Sequence, residues 1–393
     1  MSEPTTADTR PFIPFAPPDL GQDEIDAVAD VLRSGWLTGG PKVREFEEAF
    51  RKITGAEHAL ALSSATAGLH LALLASDIGP GDEVITTPLT FAATINVILH
   101  TGATPVLADI NDGDYNIDPA EVERRITART KALMPVHYGG QPCRMDELMD
   151  LARRHKLRVI EDAAHALSAR YKGKAVGTIG DAAVFSFYPT KNITTGQGGM
   201  LTTNDEELAD RVELLRLHGL SKNAYDRYTQ KGSWAYQVLA PGYNYVLTDV
   251  AAAIGVQQLA RLDAFQERRR VIAAAYNERF AELPEIIRPT IRDDVDTSWH
   301  LYAIRLDGER LRITRDEFIE GLRERGIGTS VHYVPIHFHP YFRETLGLRE
   351  GDYPVTERVF AGLVSLPLFP RMTDEDVERV AEAVHEVVAF GRR

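Results

Sequence analysis

Between Glu57 and Thr203 the sequence alternates short, nearly continuous apolar runs with stretches of helical character, and this constrains the fold more than any other feature. The runs are HALALS (58–63), DEVITT (82–87), TPVLAD (104–109), KALMPV (131–136), LRVIED (157–162), AAVFSF (182–187) and GGMLTT (198–203). Strands apolar at almost every position are buried on both faces, as in a mainly parallel sheet covered by helices. Helical stretches at about 66–76, 91–101, 119–126 and 145–155 fall between them. The pattern therefore predicts β-α-β units and a doubly wound α/β domain with a seven-stranded sheet. Ligands of such sheets gather beyond the carboxyl ends of the strands.

A long helical segment at about 248–283, interrupted near Arg261, leads out of this domain. HLYAIRL (300–306), a helix near 315–325, a short strand GTSVHY (328–333) and a last helix near 373–389 predict a smaller α+β unit. The expected division is an unstructured leader at 1–18, a large domain at 19–265 and a C-terminal domain at 266–393. The leader has no basic n-region and no continuous apolar stretch, so neither a signal peptide nor a membrane span is expected, and the cytoplasm is the default compartment. A net charge of −13 opposes sequence-independent nucleic-acid binding, which needs a concentrated basic face. The basic run Glu267-Arg268-Arg269-Arg270 reads as a solvated helix face. The single cysteine, Cys143, excludes an intrachain disulfide and any cysteine-based zinc site, and is expected to be a packing residue. No metal is expected.

Two residues stand out chemically. Lys191 lies in SFYPTKNITTGQGG (186–199), between an apolar strand and a glycine-rich turn, and follows Asp162 of VIEDAAHA by 29 residues. A lysine amine beside a ligand can hold an aldehyde cofactor as a Schiff base, and a carboxylate at a strand end can keep a ring nitrogen protonated. Pyridoxal phosphate requires both groups. Ser64, Ala65 and Thr66 fall where a strand gives way to a helix, a place that serves equally as an ordinary N-cap or as an anion site for the phosphate. Ser186 is a second hydroxyl candidate for that phosphate. His165 would lie near the same ring and hydrogen-bond either the phenolic oxygen of the cofactor or Asp162. Phe91, in TPLTFAAT, has a face that could stack on a planar ring.

With these residues in view, the chain from about 15 to 388 resembles the DegT-type nucleotide-sugar aminotransferases, enzymes of the aspartate aminotransferase fold (fold type I of pyridoxal phosphate-dependent transferases). The motifs that carry the resemblance occur in order: SSATAGLHLAL, GDEVITTPLTFAAT, PVHYGGQP, VIEDAAHA, SFYPTKNITTGQGGM, HGLSKNAYDR, PGYNYVLTDVAAA and GIGTSVHYVPIH. Within the family it is most similar to sugar C4 aminotransferases, in particular the type that forms UDP-4-amino-4-deoxy-L-arabinose. The resemblance implies that Lys191 carries the cofactor, that Asp162 pairs with its ring nitrogen, and that Phe91 stands at the ring-stacking position. It further implies that Ala65, Thr66 and Ser186 bind the phosphate, joined by Asn244 from the second subunit of a homodimer, and that His332 and Tyr333 line the sugar-nucleotide side. The amino donor it implies is L-glutamate, which leaves as 2-oxoglutarate. Two positions depart from the family pattern. Gln197 replaces the usual glutamate of the glycine loop, and the asparagine of the pentose-type enzymes lies two positions after Asn244, where this chain has Val246.

Four rival functions stand beside this one: an aminotransferase acting at C3 of a dTDP-keto sugar, a pyridoxamine-dependent sugar dehydratase, a non-catalytic regulatory protein that keeps the fold, and a nicotinamide dehydrogenase. The dehydratases of the family replace the lysine with histidine, and a regulator has no need of Lys191, Asp162 and the phosphate residues together. A nicotinamide dehydrogenase is opposed by the absence of a GxGxxG after the first strand.

Overall fold

The computed structural model describes residues 11–221 and 236–393. The first ten residues and most of HGLSKNAYDR lie outside it.

All seven apolar runs become strands of one sheet: β1 (His58–Leu62), β2 (Glu83–Thr86), β3 (Thr104–Leu107), β4 (Thr130–Leu133), β5 (Arg158–Asp162), β8 (Ala182–Ser186) and β9 (Gly199–Thr203), with the short hairpin strands β6 (Arg170–Tyr171) and β7 (Lys174–Ala175) outside it. The order is β1-β9-β8-β5-β4-β2-β3, and only β9 runs against its neighbours. Helices Ala65–Ala75, Ala92–His100 and Met145–His155 fall at the expected places between strands. Ala65–Ala75 is apolar nearly throughout and buried on most sides, because it lies between the sheet and neighbouring helices. Gly68 lets it approach β8: a Cβ there would meet Val184 Cγ1 at 2.6 Å.

The segment after Thr248 forms helices Asp249–Ala260 and Leu262–Arg279, broken at Arg261. The second helix belongs to two cores. Its start, Leu262 and Phe265, packs with Phe46, Phe185 and Met200 under the large sheet. Further along, Ile272, Ala273 and Tyr276 pack with Tyr302, Phe318 and Val384 of the C-terminal unit. That unit has an antiparallel sheet of β10 (Ile286–Ile287), β12 (Tyr302–Leu306) and β13 (Leu363–Leu366), flanked by helices Arg315–Glu324 and Asp374–Gly391, while β11 (Val295–Asp296) joins β6.

Three expectations are corrected. GTSVHY is not a strand: it makes a single bridge, Ser330 with Ser365, because its other groups bond elsewhere, Gly328 N to Ile13 O, His332 to the Ser365 hydroxyl and Tyr333 to His165. The end of the leader is ordered: Ile13 is buried and pairs with Ile327, with Gly328 N donating to Ile13 O at 2.8 Å. Arg269 is not on a solvated face. It is buried, and its guanidinium donates to the carbonyls of Trp299 and Leu368, joining the helix to the C-terminal unit. Cys143 is buried and packs in the core beside helix Met145–His155. No helix among the described residues is long and apolar enough to cross a membrane.

Candidate active site

The carboxyl ends of β1, β2, β4, β5 and β8, with the start of antiparallel β9, open onto one cleft of about 1360 Å³, its mouth included. Ser64, Ala65, Thr66, Phe91, Asp162, His165, Ser186, Lys191, His332 and Tyr333 all line it. Asn244 does not. It faces a separate pocket with Thr38, Gly40, Arg44 and Arg216.

At the β1 end, Ser64 has extended backbone and caps helix Ala65–Ala75, its Oγ accepting from Ala67 N at 3.0 Å. The capping alternative therefore holds for the Ser64 hydroxyl. The N–H groups of Ala65 and Thr66 remain as first-turn donors with no intrahelical acceptor, in residues that line the cleft at the positive end of the helix dipole. The turn that follows Lys191 presses against this spot. A Cβ on Gly199 would lie 2.5 Å from both Ala65 N and Ser64 C, so glycine there serves the approach of two backbones to each other.

Asp162 is the last residue of β5 and is 5% exposed. Its carboxylate accepts from Thr94 Oγ1 at 2.8 Å and from Ala164 N at 3.2 Å. Since Thr94 donates to Asp162, the 2.7 Å contact between the two hydroxyls has Thr90 as donor. Burial pushes the Asp162 carboxyl above its usual range, opposed by these two donors and by the charge of Lys191. A buried carboxylate so placed has a strong affinity for a further cationic N–H.

Lys191 follows β8 at the turn Tyr188–Lys191. Burial lowers its ammonium to about 8, with Asp162 pulling the other way. Among the described residues its Nζ has no hydrogen bond or ion pair. Ser186 meets the same turn, its Oγ accepting from Tyr188 N at 3.4 Å.

His165 reaches Tyr333 rather than Asp162, with Nε2 2.8 Å from the Tyr333 hydroxyl. Burial, reinforced by the positive charge of Lys191, holds its imidazole well below the usual histidine range. His300 packs against it, ring centroids 4.3 Å apart. The segment carrying His300 also grips the site's backbone: Ser298 Oγ donates to His165 O at 2.5 Å, and Asn192 Nδ2 donates to Ser298 O at 2.8 Å. Across the cleft Phe15 stacks on His332 (5.3 Å), whose Nδ1 lies 2.9 Å from Ser365 Oγ. Burial and the Lys191 charge lower His332 to about 3. Phe91 is 61% exposed, with its ring 5.7 Å from that of Tyr333.

Thr90, Thr94, Phe15 and Tyr188 line the cleft, and Ser298 and His300 support His165 from outside it; the sequence reading missed all six. Thr90 and Thr94 had a legible signal, an i, i+4 pair of hydroxyls beside the expected Phe91. Phe15, Ser298 and His300 had none, since only tertiary contacts bring them in.

Tyr243 and Tyr245 stack on each other at 4.9 Å, and Tyr243 packs on His70, so extended backbone turns Asn244 the other way. Val246, two residues on, lines the same pocket as Asn244. The two-position departure from the pentose-type pattern thus stays on one face of the chain.

Residues 18–385 match the profile of the DegT/DnrJ/EryC1/StrS aminotransferase family. Over 381 residues the chain is 52% identical to an uncharacterized protein of Methanocaldococcus jannaschii, covering 97% of this chain and 99% of that one. Over 378 residues it is 51% identical to the spore coat polysaccharide biosynthesis protein SpsC of Bacillus subtilis, covering 96% and 97%. Of solved structures, a putative sugar aminotransferase of Streptococcus pneumoniae in its PMP form superposes with a TM-score of 0.91 at 35% identity, covering 96% and 99%; its PLP form gives 0.90. PseC of Helicobacter pylori, an aminotransferase involved in the biosynthesis of pseudoaminic acid, gives 0.89 at 32% identity, covering 97% and 100%. At this identity and coverage the chain belongs to the DegT/DnrJ/EryC1/StrS aminotransferase family and is a pyridoxal phosphate-dependent sugar aminotransferase.

Proposed function

We propose that the enzyme aminates a UDP-linked 4-keto sugar, with L-glutamate as amino donor, in a ping-pong cycle within this one cleft. The observation that carries the reading is the shared cleft itself, where lysine, buried carboxylate and helix start lie opposite an aromatic and hydroxyl-bearing wall. The cofactor fits the lysine end. The first-turn N–H groups of Ala65 and Thr66 and the Ser186 hydroxyl suit a phosphate, the Asp162 carboxylate suits a protonated ring nitrogen, and the faces of His165 and Phe91 suit a flat ring. When bound, pyridoxal phosphate supplies an electron-poor ring that draws charge from the carbon bearing the amine. Lys191, with an amine neutral above about pH 8, removes the proton from the donor Cα and in the second half returns one to the sugar carbon. Asp162 holds the positive charge that keeps the ring electron-poor, and Phe15, His332 and Tyr333 orient the sugar nucleotide.

The C4 position rests on HGLSKNAYDR with PGYNYVLTD, which resemble the 4-aminotransferases more than those acting at C3, and the UDP carrier and glutamate donor rest on family resemblance alone. The narrower pentose assignment has no support from the relatives described above. SpsC is by its name a spore coat polysaccharide biosynthesis protein and PseC is involved in the biosynthesis of pseudoaminic acid, and a sugar acceptor is in keeping with the first. The same reading makes the enzyme a homodimer, in which Asn244 of one subunit reaches the phosphate in the other. It also places the protein in the cytoplasm and divides the chain near residue 265 into cofactor-binding and C-terminal domains.

The test runs the reaction backward, offering 2-oxoglutarate with UDP-4-amino sugars or dTDP-3-amino sugars and following glutamate. Faster turnover of the 3-amino compounds replaces C4 by C3, and no turnover of any amino sugar sinks the acceptor class. Subunit sharing is tested by mixing Lys191→Ala with an impaired Asn244 variant under exchange conditions. Partial recovery is expected, and no recovery despite exchange excludes sharing.

A further inference from the structure

His165 has one partnered ring nitrogen and one that is bare. Nε2 lies 2.8 Å from the Tyr333 hydroxyl, whereas Nδ1 is buried with no partner among the described residues. The residue has little freedom to find one. His300 packs on the ring, Ser298 holds the carbonyl, and the hydrogen-bonded turn Ala163–Ala166 fixes the backbone. The imidazole is neutral, so it carries one N–H. Were that proton on Nδ1, the protein would bury an N–H with no acceptor, a rare defect worth roughly 1–3 kcal/mol. With the proton on Nε2 the N–H is used, and only a ring lone pair goes without a partner. His137 shows the fully paired counterpart one strand away: its Nδ1 accepts from Cys143 N at 3.0 Å, which leaves the proton on Nε2, facing Glu161 Oε2 at 2.8 Å.

We infer that His165 donates its Nε2 proton to the Tyr333 oxygen, and that the Tyr333 O–H is thereby turned into the cleft as the hydrogen-bond donor for the carbonyl oxygen of the keto substrate. The inference rests on the reading that the cleft takes a keto sugar. Tyr333 lines the same cleft as Lys191 and Asp162. Burial and the nearby Asp162 charge raise its phenol above the usual range, so the hydroxyl keeps its proton. His165 is then a positioning residue as well as a ring neighbour, because it takes up the oxygen lone pair that would otherwise let Tyr333 rotate. A donor fixed before the carbonyl arrives needs no reorganisation as charge builds on the oxygen.

The tautomer is measurable without substrate. Full-length, cofactor-loaded protein labelled with 15N-histidine is examined by NMR at neutral pH, with the His165 signals identified by their loss in His165→Gln and His137 as an Nε2–H reference. The expected result is Nε2–H for His165. An Nδ1–H tautomer or an imidazolium overturns the inference. The second arm is Tyr333→Phe, which keeps the ring against Phe91. Its turnover of the amino sugar should fall about 100-fold, with KM changed less than about threefold. Wild-type turnover in this variant also overturns the inference. If wild-type protein turns over no amino sugar, the acceptor proposal fails by itself, and the tautomer still decides the direction of the His165–Tyr333 hydrogen bond.

Discussion

The two sides of the cleft are built by different means. On the cofactor side, Ser64, Asp162 and Ser186 sit at or just after the ends of sheet strands, and Lys191 follows five residues later, so strand pairing fixes their spacing. On the opposite side, Phe15, Ser330, His332 and Tyr333 belong to no regular element. They are held by pairs distant in sequence: Phe15 on His332, His332 on Ser365, the Tyr138 hydroxyl on the His332 carbonyl, and Ser330 on Ser365. The lesson is a division of labour. The sheet edge fixes the reacting groups, while the irregular wall can change its side chains without disturbing them. Changes on the first side should therefore act on turnover, and changes on the second on substrate binding, except at Tyr333, whose hydroxyl is bonded to His165 of the first side and belongs with the reacting groups.

The largest effect is expected from Lys191→Ala, which on the proposed mechanism removes both the attachment point and the mobile proton. Turnover should fall by about 10⁴-fold or more, and borohydride should no longer fix the cofactor to the protein. A reducible protein-bound cofactor surviving in this variant would assign the role to another amine. Next comes Asp162→Asn, for which a loss of about 100-fold in turnover corresponds to ~3 kcal/mol of missing electrostatic stabilisation. Turnover like wild type would remove the carboxylate from the chemistry and blur the contrast between the two sides.

A pH experiment probes the same side. Capture of free pyridoxal phosphate needs the neutral Lys191 amine, and burial has brought its proton loss down to about 8. The capture rate should rise about tenfold per pH unit below that value and level off above it. Because Asp162 favours the charged amine, Asp162→Asn should move the bend to lower pH; an unmoved bend would mean that the two groups do not sense each other. The sign for folding follows from the same shift. The unfolded chain binds more protons at this residue between about pH 8 and 10.5, so its contribution to stability increases with pH across that window.

Smaller effects separate the sides further. His332→Ala should raise KM for the amino sugar about tenfold, with turnover within about twofold of wild type, as expected when binding is lost equally from ground and transition states. A change confined to turnover would place His332 with the reacting groups. Thr94→Val, which removes one hydrogen bond from Asp162, should cost about 1 kcal/mol of transition-state stabilisation, roughly fivefold in turnover at unchanged KM.

The same division explains what could be read from the sequence. All seven sheet strands were legible because burial on both faces makes each an apolar run, and Lys191, Asp162 and the Ser64–Thr66 turn were legible because they follow such runs directly. The place of Phe15 was not, since residues 11–18 contain four prolines and owe their order to contact with Ile327 and His332. Arg269 was misread as solvated because a basic triplet has no clear helical period. The strand expected at GTSVHY failed for a related reason: β-branched and aromatic residues suited a strand, but their partners turned out to be side chains of the cleft. Ser298 and His300 gave no local sign, because a polar residue entering a strand from a loop has no periodic pattern.

Helix Leu262–Arg279, with one end in each core, governs how the molecule comes apart. Neither core can lose its packing without unseating a helix that the other also uses, so thermal melting should follow one cooperative transition. A chain cut near residue 265 would strand Phe265 from Ile272 and leave apolar surface exposed on both fragments. Truncated versions of this enzyme should consequently aggregate, and linkers for fusion or permutation belong in exposed turns well away from this helix.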